Sequence, residues 1–205
     1  MELAEFIKTH VEEINNNDFT EVYKDAHNSL SHKWYDNNAL YKLTEIFLDA
    51  GIEPLKYMQE VPDYYLIHSA ITSVEIPDNV KSIGTSAFRT CERLKSVTIP
   101  DSVTYIGENA FTCCFELTSL TISNSLTSIS KSVFELCTRL KSVTIPDSVT
   151  KIDRGAFYGC TKLKSITFNG TKAQWTAISK EYRWNTKTGN YTIYCTDGKL
   201  KKGEK

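Results

Sequence analysis

The chain repeats itself every 23 residues through its middle, and that period constrains the fold more than any other feature. Cys91, Cys114, Cys137 and Cys160 stand at identical intervals, with Phe88, Phe111, Phe134 and Phe157 three residues ahead of each. Other apolar columns keep the same register: Ile83, Ile106, Ile129 and Ile152; Leu94, Leu117, Leu140 and Leu163; Val97, Leu120, Val143 and Ile166; and Ile76, Ile99, Ile122 and Ile145, closed by Phe168. A unit of this length offers roughly eight apolar side chains at about 1.5–3 kcal/mol each on burial, against about 1–2 kcal/mol of backbone entropy per residue. One unit cannot fold alone. Stacked units cover each other's open faces, so the pattern predicts a mainly β solenoid stabilised by nearest-neighbour interfaces and closed by caps.

Within a unit, the alternating Ser96-Val97-Thr98-Ile99 reads as a strand, Pro100-Asp101 as a corner, and the stretch from Val103 to Ile106 as a second short extended piece. After Gly107, the Ala-Phe-x-x-Cys run turns the coil back, with one helical or 3₁₀ turn expected there. The solenoid is placed at residues 71–168 as four repeats. Residues 1–70 read as an α-helical N-terminal subdomain: Leu3, Phe6, Ile7, Val11 and Ile14 follow a 3.6-residue period, and Leu40, Leu43, Ile46, Phe47 and Ala50 repeat it up to Gly51, a helix C-cap. The aromatic segment from Pro54 to Tyr65 is expected to seal the first coil. Residues 169–205 read as a mixed cap: an Asn-Gly turn, a short amphipathic helix in TKAQWTAISKEYRW, and a strand, Tyr191 to Cys195, against the last coil. The charged tail from Lys199 onward is expected to be disordered.

Composition excludes little: 40% hydrophobic and 24% charged residues over 205 positions are ordinary for a soluble protein. The net charge of −1 hides a polarity, since residues 1–70 carry 13 acidic and 5 basic side chains whereas residues 169–205 carry 3 and 8. The opening MELAEFIKTHVEEI has no basic n-region or unbroken apolar run. With no membrane-length apolar stretch either, the expectation is a cytoplasmic protein. Four of the six cysteines share one repeated column beside a Phe, pointing in parallel into the core, and are read as free structural thiols.

The units VTIPDSVTYIGENAFTCC and VTIPDSVTKIDRGAFYGC resemble BspA-type leucine-rich repeats, known from bacteria of the gut and mouth. FNGTKAQW, with the later YTIYCTDG, is similar to the C-terminal cap that follows such repeats in gut Firmicutes. AGIEPLKYMQEVPDYYL resembles the front of small leucine-rich repeat proteins of phages and prophages in those hosts. The resemblance implies a leucine-rich repeat fold and a non-catalytic protein-binding role. One form of that role is a phage accessory or counter-defence protein that occludes a host factor; the alternative is cell-surface adhesion, associated with exported members.

Chemistry is sparse. His10, His27, His32 and His68 share no catalytic or ligand spacing, no CxxC pair signals zinc, and P-loop, GxGxxG, GxSxG and HExxH motifs are missing. No catalytic residue, metal or cofactor is therefore assigned. An enzyme would need a pocket near Tyr64, Tyr65 and His68. Nucleic-acid binding would use the basic cap, where Lys172, Lys180, Arg183, Lys187, Lys199, Lys201 and Lys202 lie near Trp175, Tyr182 and Trp184, but the acidic front argues against it.

For a protein partner, information should sit where repeats differ. Phe115 replaces the Glu or Thr of its column, Tyr105 the Ser or Lys of its own, and repeat three diverges most, with Ser123 for Pro, Ser130 for Gly and Val133 for Ala. The candidate protein-binding patch is Tyr105, Cys113, Phe115, Glu135 and Leu136. The competing reading of the same substitutions is drift with compensating local packing.

Overall fold

The computed structural model describes residues 54–204, together with Thr9, His10, Ile14 and Val22. The helical reading of residues 1–53 otherwise lies outside the described residues.

Stacking begins earlier than residue 71. Where a helical subdomain was expected to run to residue 70, the chain makes only a 3₁₀ turn at Pro54–Lys56 and then β1 (Glu60–Val61), already part of a coil. β1 pairs in parallel with β3 (Ser82–Ile83), and β3 with β5 (Tyr105–Ile106). The residues from Tyr64 to His68 then turn as every later coil turns, because Tyr65 supplies the buried ring that Phe supplies elsewhere.

Each coil has two strand sides. The longer strands are β2 (Ser73–Glu75), β4 (Ser96–Thr98), β6 (Ser119–Thr121), β8 (Ser142–Ile145) and β10 (Ser165–Phe168). The shorter ones, beyond β1, β3 and β5, are β7 (Ser128–Ile129), β9 (Lys151–Ile152) and β11 (Ser179–Lys180). All pair in parallel, so equivalent residues stack: Ser119, Ser142 and Ser165 form one rank on the outer face, Thr121, Thr144 and Thr167 a second, and Leu120, Val143 and Ile166 lie beneath. The corners close with Val80 N–H to Pro77 O, Val103 N–H to Pro100 O and Val149 N–H to Pro146 O.

The turn side is neither helical nor a run of 3₁₀ turn. Two residues per coil, four apart, adopt positive φ: Ser86 and Thr90, Asn109 and Cys113, Ser132 and Leu136, Gly155 and Gly159. This alternation aims successive N–H groups in two directions. Phe88, Phe111 and Phe134 each donate to the next coil, at Ala110, Val133 and Ala156, while Ala87, Arg89 and Cys91 donate within their own coil to Gly84, Ser86 and Phe88. The backbone is thereby satisfied without a regular helix.

The repeat also does not stop at Asn169. After α1 (Lys172–Ala177), whose Thr171 and Gln174 form a capping box, the chain re-enters the stack: β11 pairs with β9, and Phe157 N–H donates to Trp184 O. Trp184 closes the ring column edge-on against Phe157, as Tyr65 opens it edge-on against Phe88. The expected strand is present as β12 (Thr192–Cys195), parallel to β10. The tail is ordered at its start, against expectation, because Gly198–Lys201 forms β13, antiparallel to β12, with Leu200 buried beneath.

One junction departs from the pattern. Neither β4 and β6 nor β5 and β7 form a ladder, so both strand sheets break between the second and third expected repeats. The turn side stays clasped there by Asn109 N–H to Lys131 O, Phe111 N–H to Val133 O and Cys113 N–H to Glu135 O. The Phe stack is widest at the same place, 5.7 Å between Phe111 and Phe134 against 5.2 and 5.5 Å for its neighbours.

Candidate protein-binding surface

The cysteine column is built as read, with free and buried thiols, and each does a definite job. Cys91 Sγ donates to Leu66 O, Cys114 to Phe88 O, Cys137 to Phe111 O and Cys160 to Phe134 O, at 3.0–3.3 Å. The residue must be small enough for the core and still offer a weak donor to the preceding coil's carbonyl, which a thiol does. Burial pushes Cys91 and Cys160 up to about 12 and holds Cys114 and Cys137 well above the usual thiol range. None is a nucleophile at neutral pH.

The five residues of the candidate patch divide. Cys113, Phe115, Glu135 and Leu136 lie on or just after the turn side and are half-buried, whereas Tyr105 stands on the short-strand side, 51% exposed and in register with Ser82. Cys113 N–H donates to Glu135 O at 2.8 Å, and Leu136 N–H to Tyr158 O at 2.7 Å. The Leu136 side chain covers Gly159 of the next coil, where an added Cβ would meet its Cδ2 at 2.7 Å. Burial raises the Cys113 thiol; Arg89 opposes this, and Glu135 and Glu92 add to it. The turn side therefore gathers Arg89, Glu92, Cys113, Glu135 and Leu136. Arg89 and Glu92 stand outside the five candidate residues, and only the coil geometry brings them and Glu135, from neighbouring repeats, around Cys113.

The divergence of repeat three has a local cause. At the junction, Ser123 Oγ donates to Val103 O at 2.7 Å, Ser125 Oγ to Asp101 O at 2.6 Å, and Ser130 Oγ to Ile106 O. In other coils the last of these carbonyls receives a backbone donor, as in Gly107 N–H to Ile83 O and Asp153 N–H to Ile129 O. The Ser130 hydroxyl replaces a missing backbone bond, so that substitution is accounted for by the chain's own packing.

The other expected locations fare differently. A cavity of about 570 Å³ opens beside the first coil, lined by Tyr65, Leu66, Ile71, Val74 and Pro77 with Lys56 and Glu75. Tyr65 is in its wall, whereas Tyr64 and His68 are not among its lining residues. In the basic cap, Trp175 is buried and stacks edge-on against Phe168 and Trp184, which packs in turn on Tyr191. Lys180 donates to Trp175 O and Ile178 O, and Lys202 to Thr188 O and Gly189 O. Both Trp rings and two of the cations are thus spent on closing the solenoid, leaving Tyr182, 74% exposed, as the ring that a base could stack on. Among the described residues, no helix is long and apolar enough to cross a membrane, and no cluster of His, Cys, Asp and Glu could hold a metal ion.

Residues 59–182 match the sequence profile of the BspA type leucine rich repeat region, in six copies. The chain belongs to the BspA-type leucine-rich repeat family. Six copies agree with six stacked rings, Tyr65, four Phe and Trp184, two more than the Phe column alone discloses. The fold is similar to that of a leucine rich cell surface protein from Faecalibacterium prausnitzii A2-165 (TM-score 0.51, 34% identity over 56% of this chain and 36% of that one). It is equally similar to a leucine rich repeat protein from T. pallidum (TM-score 0.51, 33% identity over 53% of this chain and 51% of that one). The chain spans about a third to a half of the length of these relatives. No curated protein matches it.

Proposed function

We propose that the chain is a non-catalytic protein-binding module of the bacterial cytoplasm that acts by covering a partner's surface with its turn side. The observation that carries this is the division of labour within a coil. Apolar columns, ring stack and thiols are uniform and buried, while the turn side presents Arg89 with Thr90, Cys113, Glu135 with Leu136, and Tyr158 in succession. The finer reading, a phage or prophage accessory protein that occludes a host factor, is supported by the likeness of residues 50–66, which lead into and open the first coil, to such proteins. Capture on immobilised protein, wild type against C113S/F115A/E135Q, tests the module. A stoichiometric protein retained by the wild type and lost by a folded variant supports turn-side binding; equal retention removes that side. Tyr105→Ala, run separately, asks whether the short-strand side contributes.

Surface adhesion is the second reading, favoured by the likeness to a relative described as a cell surface protein. Protease shaving of intact producing cells separates the two: loss of the protein supports adhesion, and full protection supports the cytoplasmic module.

A further inference from the structure

The outer face of the long sheets hardly varies from coil to coil. Its chemistry is nonetheless distinctive. Several hydroxyls elsewhere on the solenoid are tied to the preceding coil: Thr104 Oγ1 to Lys81 O, Thr118 to Lys95 O, Thr150 to Thr127 O and Thr161 to Thr138 O. The serine and threonine ranks on β6, β8 and β10 make no such bond, and no other contact among the described residues consumes them. They are presented to solvent as two parallel rows, one hydroxyl of each per coil, at the strand spacing of about 4.8 Å.

Both rows end in a lysine, and the threonine row also carries an aromatic ring. The threonine rank continues through Tyr194, 50% exposed, to Lys199; the serine rank continues through Thr192 to Lys201. Leu200 between the lysines is buried, so both lysines stand on this face.

A surface that repeats without variation suits a partner that repeats without variation. We propose that this face binds an extended anionic polysaccharide laid along the solenoid axis. Its sugar hydroxyls would pair with the two rows, a ring would stack on Tyr194, and its carboxylates would meet Lys199 and Lys201. The face lies on a side of the coil distinct from the turn side, so a glycan and a protein partner would not compete.

Native gel electrophoresis through polygalacturonate, with hydroxyethylcellulose as the neutral control, tests this. The expected result is retardation by polygalacturonate alone, weakened at least tenfold in T144V/T167V and in K199Q/K201Q, both with unchanged circular dichroism and melting temperature. Retardation is retained in C113S/F115A/E135Q, which separates this site from the turn side. Failure of the wild type to be retarded overturns the proposal, as does equal retardation by the neutral polymer. Full retention in T144V/T167V also overturns it, since that would reduce the interaction to charge.

Discussion

Gly107→Ala and Ser130→Gly occupy the same column in successive coils and should act with unequal force. A Cβ on Gly107 would lie 2.5 Å from Thr85 N, 2.6 Å from Gly84 C and 2.8 Å from Thr85 Cα, all of them backbone atoms that no rotamer change can move. Relief requires the second coil to retreat from the first by about 1 Å to reach ordinary carbon contact distance. That retreat breaks the 2.7 Å bond from Gly107 N–H to Ile83 O and strains the β3–β5 ladder. Overpacking costs about 1–3 kcal/mol and the lost bond about 1 kcal/mol, offset by up to about 1 kcal/mol from the reduced chain entropy of Ala. The net is about 1–4 kcal/mol, or a melting temperature lower by about 2–16 °C for a chain of this size. Ser130→Gly exchanges the hydroxyl bond to Ile106 O for the backbone bond the other coils make, so its effect should stay within about 1 kcal/mol. Differential scanning calorimetry gives the two shifts. Hydrogen exchange should show residue 130 of the S130G protein newly protected. A G107A protein melting within 1 °C of wild type would refute the argument that close backbone approach sets this column.

Alkaline pH should unfold the protein steeply. Burial holds Cys91 and Cys160 protonated up to about 12 in the fold and Cys114 and Cys137 well above the usual thiol range, whereas unfolded thiols lose their protons near 8.5–9. Stability is thus full below pH 8.5 and falls above it by up to about 1.4 kcal/mol per pH unit per thiol. Urea midpoints between pH 8 and 10.5 measure this, and a flat profile contradicts the burial. In native protein, Ellman's reagent should titrate Cys113 and Cys195, both half-buried, ahead of the other four, which should react only on denaturation. Thr90, β-branched at φ 59°, stands where the fourth expected repeat has Gly159, so Thr90→Gly should stabilise by about 0.5–1 kcal/mol, read as a rise in urea midpoint.

What the sequence made legible followed its strongest repetition. The ring and thiol columns recur at a fixed interval, and the core they predict is the core observed. The outer coils escaped because their rings differ: Tyr65 precedes an acceptor at Leu66 O with no cysteine of its own, and Trp184 follows Phe157 by 27 residues with α1 inserted between. The turn conformation had a sequence trace in Gly155, Gly159 and Asn109, each tolerant of positive φ, but Ser86, Thr90, Cys113 and Leu136 in the same two columns masked it. The patch was less legible than the fold, because the angle of one side of a coil to another decides which variable columns meet. Tyr105 and Cys113 are eight residues apart on different sides, whereas Cys113 and Glu135 are 22 apart and bonded through the backbone.

Divergence between repeats is therefore two signals superposed. At Ser130 an unlike residue coincides with a broken ladder and supplies the hydrogen bond the break removed, so the chain's own packing accounts for the change. At Glu135 and Leu136 the neighbouring ladder bonds are intact, and the unlike side chains lie half-exposed on a clasped turn side. The first kind stabilises the stack and should be sensitive to substitution in melting experiments; the second should be nearly silent there and visible in binding. Ser130→Ala against Glu135→Gln makes that contrast. The first leaves Ile106 O without its hydroxyl donor at a buried site and should cost about 1–3 kcal/mol. The second, on a partly solvated carboxylate, should cost no more than about 0.5 kcal/mol. Comparable losses in both would mean that the turn side, like the junction, is structural throughout.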